Sequence, residues 1–222
     1  MSASQPVKPG VAVPAIAFAV AASIAAYPPI GFWPLAFIMA APVFAVIDTT
    51  SWRATFAIVF VYYVAMGSVL VRWLAIPLAA DYGIHPVKAW AFVVVVATLQ
   101  CVALAAVMAV WPVLRSRVSA AWAPLVLAAL WVLGEEVRSG PLILPWVLVG
   151  QAVIDAPIWV QVADLGGVPA VSFVVTAISA GLAIALARRT WVPIVAPTVL
   201  AAATLVYGAT WLAAHEESGL SL

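Results

Sequence analysis

Apolar residues run along this chain in long, nearly uninterrupted stretches, with short polar or proline-rich breaks between them. A helical membrane span needs about 20 mostly apolar residues. Seven stretches approach that length, near 11–27, 32–48, 54–73, 89–112, 119–137, 168–187 and 191–213. Two of them are bounded by tryptophan at both ends, Trp90 with Trp111 and Trp191 with Trp211. Each pair is separated by about 30 Å of helix, close to the hydrocarbon thickness, so both pairs read as aromatic belts. The alternating pattern of a membrane barrel is absent. The expected fold is therefore an all-α integral membrane protein, a bundle of about seven transmembrane helices forming one domain over residues 1–222.

The breaks are as informative as the stretches. Tyr27-Pro28-Pro29-Ile30-Gly31 stops the first helix and Phe32-Trp33-Pro34 opens the next. Asp81-Tyr82-Gly83-Ile84-His85-Pro86 is a short polar loop, and Arg115-Ser116-Arg117 a hairpin. Residues 139–167 differ from both. Pro141, Pro145 and Pro157, with Gly140, Gly150, Gly166 and Gly167, forbid one continuous helix, yet the segment stays apolar. Irregular backbone at membrane depth survives only when buried in protein or lining a wet cavity. Two readings of it stay open, a partly re-entrant outer loop and an ordinary interfacial loop.

Composition agrees with the pattern. The chain is 67% hydrophobic and 8% charged, with a mean hydropathy of +1.20, where soluble domains carry about 25% charged residues. The first stretch reads as an uncleaved helix rather than a signal peptide, because one lysine precedes it and no soluble domain follows. With the N-terminus cytoplasmic, the inner segments hold Lys8, Arg53, Arg115, Arg117, Arg188 and Arg189, against Arg72, Lys88 and Arg138 outside. That bias favours N-in, C-out. The acids run the other way, Asp48 alone being inside. No basic patch suggests nucleic acid, and one cysteine excludes an internal disulfide. Frequent Ala, Val, Trp and Arg with few Lys suggest a GC-rich bacterial source.

Catalytic chemistry is hard to find. Cys101 lies in the fourth stretch among Leu99, Val102 and Leu104, the setting of an inert core thiol. His85 and His215 lack metal-ligand spacing, and no nucleophile elbow, zinc motif or phosphate loop occurs. No catalytic residue, metal site or cofactor is expected.

One charged cluster stands out. Trp131, Glu135 and Arg138 fall on one helical stripe at the outer end of the fifth stretch. Taken alone, they fit a helix-end ion pair beside an interfacial tryptophan. In order along the chain, however, come Trp131-x-x-x-Glu135-x-x-Arg138, Leu144-Pro145-Trp146 with Gly150, and Gly167-Val168-Pro169-Ala170-Val171-Ser172-Phe173. Upstream lie Pro29-x-x-x-Trp33-Pro34, Gly67 and Trp73. This order resembles the membrane half of bacterial apolipoprotein N-acyltransferases over roughly residues 15–214. Two features depart from that pattern. Leu144 replaces an aromatic residue, and the third stretch is poor in glycine.

The resemblance implies a module that anchors a catalytic domain and admits phospholipid sideways from the outer leaflet. Family members move an acyl chain from phospholipid to a catalytic cysteine and then to the amino group of a lipoprotein's N-terminal cysteine. The nitrilase-like domain with its Glu-Lys-Cys triad would begin where this sequence stops, near His215 to Leu222. Activity alone is therefore not expected. The implied partners are phospholipid, lipoprotein and a separately encoded nitrilase-like domain. The implied contact residues are Trp131, Glu135, Arg138, Pro145, Trp146, Gln161 and Asp164, with Arg138 on a lipid phosphate or paired with Glu135 or Asp164. The rival readings are a non-catalytic lipid- or lipoprotein-binding scaffold and a small transporter. The transporter is disfavoured because no ionisable residue is expected at mid-span.

Overall fold

A computed structural model describes residues 9–142 and 145–216. Lys8, Leu144 and the segment from Glu217 to Leu222 lie outside the described residues. Among those described there is no strand. Helix α1 (Pro9–Ala26) ends at the Tyr27-to-Gly31 turn, which contains a cis Pro28–Pro29 bond. There the Phe32 N–H returns to the Ala25 carbonyl at 2.9 Å. The second stretch is not one helix. It folds as a 3₁₀ turn (Trp33–Leu35), α2 (Ala36–Met39) and α3 (Ala41–Ile47). Pro34 and Pro42 sit in the first turns of the 3₁₀ turn and α3, where a missing N–H costs nothing.

Helix α4 (Trp52–Leu70) is capped by the Ser51 hydroxyl, which accepts from the Ala54 N–H. A 3₁₀ turn (Arg72–Leu74) and α5 (Ala75–Ala80) lead to α6 (Pro86–Met108). His85 caps α6 through Nδ1, so its role is structural. The short α7 (Trp111–Leu114) extends α6, and α8 (Ala123–Leu142) follows. The proline-broken region holds a 3₁₀ turn (Val149–Val153) and α9 (Pro157–Val160). Helices α10 (Ala163–Arg188) and α11 (Val192–Glu216) complete the described chain.

Within α10 the expected break is present. Gly166 and Gly167 leave helical geometry, and Gly167 adopts φ 67°, a conformation that L side chains rarely take. The regular span therefore starts at Val168, where the sequence placed it.

Four helical segments are long and apolar enough to cross a membrane: Trp52–Leu70, Pro86–Leu114, Ala163–Arg188 and Val192–His215. Helix α8 has the length but carries Glu135, Glu136 and Arg138. Helix α10 is the hub. Its apolar window is 67% buried, against 22–39% in the other three, and it packs on α2, α3, α8 and α11. Where α6 meets α8, a Cβ at Gly134 would collide with the Leu104 side chain and stand 3.1 Å from its Cα. Glycine there sets how closely the two helices approach. Polar pairs lock others, Ser23 with Tyr62 at 2.7 Å between α1 and α4, and Ser179 with the Phe37 carbonyl at 2.7 Å between α10 and α2.

One belt residue is corrected. Trp90 is exposed, but Trp111 is fully buried in the core, so it anchors packing rather than an interface. At the same end of the bundle Asp48 accepts from both Nε and Nη2 of Arg188, and Arg115 donates to the Ile47 and Asp48 carbonyls. Arg53, Arg115, Arg117, Arg188 and Arg189 thus gather at one end.

Candidate functional site

The stripe on α8 faces inward. Trp131, Glu135 and Arg138 are each at most 1% exposed. Helical spacing brings the Trp131 indole N–H onto Glu135 Oε1 at 3.1 Å, and that oxygen also accepts from the Val149 N–H at 2.8 Å. Arg138 spreads its fork over three acceptors. Nη1 donates to Gln100 Oε1 at 2.6 Å, and Nη2 to the Trp146 and Val147 carbonyls at 2.8 and 3.0 Å. Its guanidinium lies 5.1 Å from the Tyr63 ring centroid, a cation–π distance. The Tyr63 hydroxyl donates to the same Val147 carbonyl at 2.6 Å.

Every one of these bonds that reaches the loop ends on its backbone. From Pro145 to Leu148 the chain lies outside any helix, and the first N–H groups of the following 3₁₀ turn need partners too, since a buried peptide group without one is costly. Gln151 supplies two more bonds, accepting from the Leu148 N–H and donating to the Pro145 carbonyl. Ser172 on α10 accepts from the Gly150 N–H at 2.8 Å. Val147 is held at φ 60°, a strained value for a β-branched residue. The cluster is thus a clamp that holds a broken segment between α4, α6, α8 and α10.

Five of the seven expected residues come together here: Trp131, Glu135, Arg138, Pro145 and Trp146. Trp146 also packs edge-on against Trp73, centroids 5.2 Å apart. Gln161 and Asp164 stand apart. Gln161 donates to the Pro157 carbonyl, while Asp164 accepts from the Tyr207 hydroxyl at 2.8 Å. The expected ion pair of Arg138 is replaced by neutral partners. Among the described residues no acid lies within 4 Å of it, and Asp48–Arg188 is the ion pair present. Its depth also differs from expectation. Gln100 stands midway along α6, about 21 Å from Pro86 at 1.5 Å per residue. A buried guanidinium whose Nη groups are both engaged is not presented to a headgroup. Cys101 is fully buried, as expected, and no group of metal-ligating side chains forms among the described residues.

Sequence reasoning missed Tyr63, Gln100, Gln151 and Ser172. A lone amide in an apolar stretch was the available signal for Gln100, since polar groups inside membrane bundles face partners. Ser172 was in plain sight within a quoted motif.

Comparison with known proteins decides the family. The model of the apolipoprotein N-acyltransferase N-terminal domain matches residues 19–181. The chain belongs to this family. It is also 30% identical over 219 residues to an apolipoprotein N-acyltransferase of Rhodopirellula baltica, covering 86% of this chain. The chain spans 36% of that relative's length. The match takes in the α8 stripe, the clamped segment and most of α10, so the clamp belongs to the shared region. A multi-pass helical membrane module related to lipoprotein modification follows from this membership and from the apolar helices.

Proposed function

We propose that the chain is the membrane module of a lipoprotein N-acylating system, admitting phospholipid from the outer leaflet but supplying no nucleophile. The observation that carries this reading is the buried clamp, which fixes the Pro145–Val153 backbone inside the bundle within the region matched to the family. In this reading the chain crosses seven times. The crossings are α1, the Trp33–Ile47 pieces together, α4, α6 with α7, α8, α10 and α11. Residues 139–167 form the partly re-entrant outer segment. The arginine-rich end is cytoplasmic, which puts the N-terminus inside and the C-terminus outside in the bacterial inner membrane.

A cleft of about 290 Å³ near the opposite end supports lipid entry there. Arg72, Ile76, Pro86 and Trp90 line it. Arg72 is exposed and a guanidinium suits a phosphate, so Arg72 takes the headgroup role that the buried Arg138 does not. Trp90 is the aromatic wall of the cleft, and Trp146 packs on Trp73, the residue next to Arg72. The acyl-accepting cysteine, its base and its lysine come from a nitrilase-like domain acting with this module, since Cys101 is sealed in the core.

Two measurements test this. Purified residues 1–222, incubated with phospholipid and a diacylated lipopeptide, should give no N-acyl mass shift. A shift should appear once a nitrilase-like domain is supplied. Turnover by the chain alone that survives Cys101→Ala would show a nucleophile this reading lacks. If the supplied domain turns over equally well without the module, the scaffold reading gains and lipid admission fails. For topology, a reporter active only in the cytoplasm and fused after Leu222 should be silent. A bright fusion means an even number of crossings and ends the seven-span reading.

A further inference from the structure

Between α10 and α11 two apolar cavities adjoin, and the second reaches the arginine-rich end. The first, about 300 Å³, is bordered by Phe37, Trp159, Gly181, Leu182, Ile194 and Pro197. The second, about 310 Å³, shares Leu182 and Ile194 and continues to Arg189, Thr190 and Trp191. Because Leu182 and Ile194 border both, we treat them as one groove. From Trp191 to Ala201 it follows α11 for about 15 Å.

The groove exists because the two helices touch at a glycine. A Cβ at Gly181 would come within 2.9 Å of Pro197 Cγ and 3.1 Å of the Pro193 carbonyl, and the apolar channel opens beside that contact. Its rim faces outward, with Leu186 at 76% and Trp191 at 80% exposure.

The two adjacent arginines at its mouth differ. Arg188 is engaged by Asp48. Arg189 is exposed, and among the described residues no acid or carbonyl pairs with its side chain. It occupies the left-handed C-cap of α10 at φ 51°, a position where glycine is favoured. An unengaged guanidinium therefore caps an apolar channel, beside a threonine hydroxyl and an exposed indole.

We propose that this groove is a binding site for a phospholipid of the arginine-side leaflet. One acyl chain lies along α10 and α11, and the phosphate is held by Arg189. Charge complementarity selects this occupant. A guanidinium recognises phosphate oxygens in a forked geometry, whereas a docking helix would need an acid at that level. Trp191 sits where an indole anchors to headgroups. The inference rests on the membrane-spanning reading above but not on acyl transfer. The site is separate from the Arg72 cleft, which lies at the other end of the bundle.

Native mass spectrometry of the full chain in mild detergent, titrated with phosphatidylglycerol, tests it. The wild type should retain one lipid. Arg189→Gly suits the left-handed cap and should keep the melting temperature, yet weaken retention about tenfold, the worth of one charge-assisted contact. Leu182→Trp fills the channel and should lower retention of any phospholipid, whatever its headgroup. Glycerol phosphate, which has no acyl chain, should not compete. Equal retention by wild type and Arg189→Gly would overturn the proposal. So would unaltered retention in Leu182→Trp, or a dimer that Leu182→Trp dissolves, which would make a second copy the occupant. Retention is read without turnover, so failure here leaves the acylation reading untouched, and failure of that assay leaves the lipid site standing.

Discussion

Arg138→Leu is expected to release the Pro145–Val153 segment from the bundle at a cost of about 2–5 kcal/mol. Three hydrogen bonds leave with the guanidinium, to Gln100 and to the carbonyls of Trp146 and Val147. In membrane bundles such bonds average roughly 0.6 kcal/mol each, which sets the lower bound. The upper bound comes from what stays behind. The Gln100 amide oxygen and the Trp146 carbonyl stay buried without the donor they have in the clamp, and each such acceptor costs about 1–3 kcal/mol. Val147 retains the Tyr63 hydroxyl. Arg138→Lys keeps the charge without the fork and should recover only part of the loss, because an ammonium cannot span three acceptors in that geometry. Thermal melting in detergent gives the stability. Limited proteolysis near Trp146 reports the loop, and it should become faster before the bundle melts. A variant within about 0.5 kcal/mol of wild type, the range of an ordinary surface substitution, with an uncut loop, would mean that the clamp holds nothing.

Much of this site was legible because helical spacing is periodic. Trp131, Glu135 and Arg138 could be placed on one face from their three- and four-residue separations, and the indole-to-carboxylate bond follows directly. The broken character of 139–167 was legible too, since proline and glycine act locally. The partners of Arg138 were not. Two are backbone carbonyls, which every residue carries, so no residue type marks them in advance. The third, Gln100, lies 38 positions away and is joined only by how α6 and α8 pack across Gly134. The same limit explains Trp111. Its spacing from Trp90 matched a membrane thickness, but exposure is a property of neighbours that the spacing does not contain. The second apolar stretch was read as one helix because hydropathy averages over Pro42, while the helix is interrupted at Ala40, just before that proline.

The other large effect is expected at the arginine-rich end, where nothing in local sequence links Asp48 to a residue 140 positions away. Asp48 is 5% exposed and accepts from Arg188 Nε and Nη2 at 2.9 and 2.8 Å, tying the end of α3 to the end of α10. Surface pairs are worth about 0–1 kcal/mol and breaking a fully buried one costs about 3–5 kcal/mol. Since the Arg188 side chain is 28% exposed, Asp48→Ala should fall between, at about 2–3 kcal/mol. The two single variants should not be equal. Arg188→Met leaves a nearly buried carboxylate without its ion-pair partner, whereas Asp48→Ala leaves a guanidinium that can turn toward water. Arg188→Met is therefore the worse of the two. Arg115 still donates to the Ile47 and Asp48 carbonyls in either variant, so the link between α3 and the 115–117 hairpin should persist. Combining Asp48→Ala with Arg188→Met should cost less than the sum of the singles, by more than about 0.5 kcal/mol, because neither charge is then stranded. Denaturation of the four proteins in one detergent measures that coupling. Strict additivity would show that the pair is screened by solvent and that α3 is held to α10 by apolar packing, with the Ser179 bond fixing the neighbouring α2.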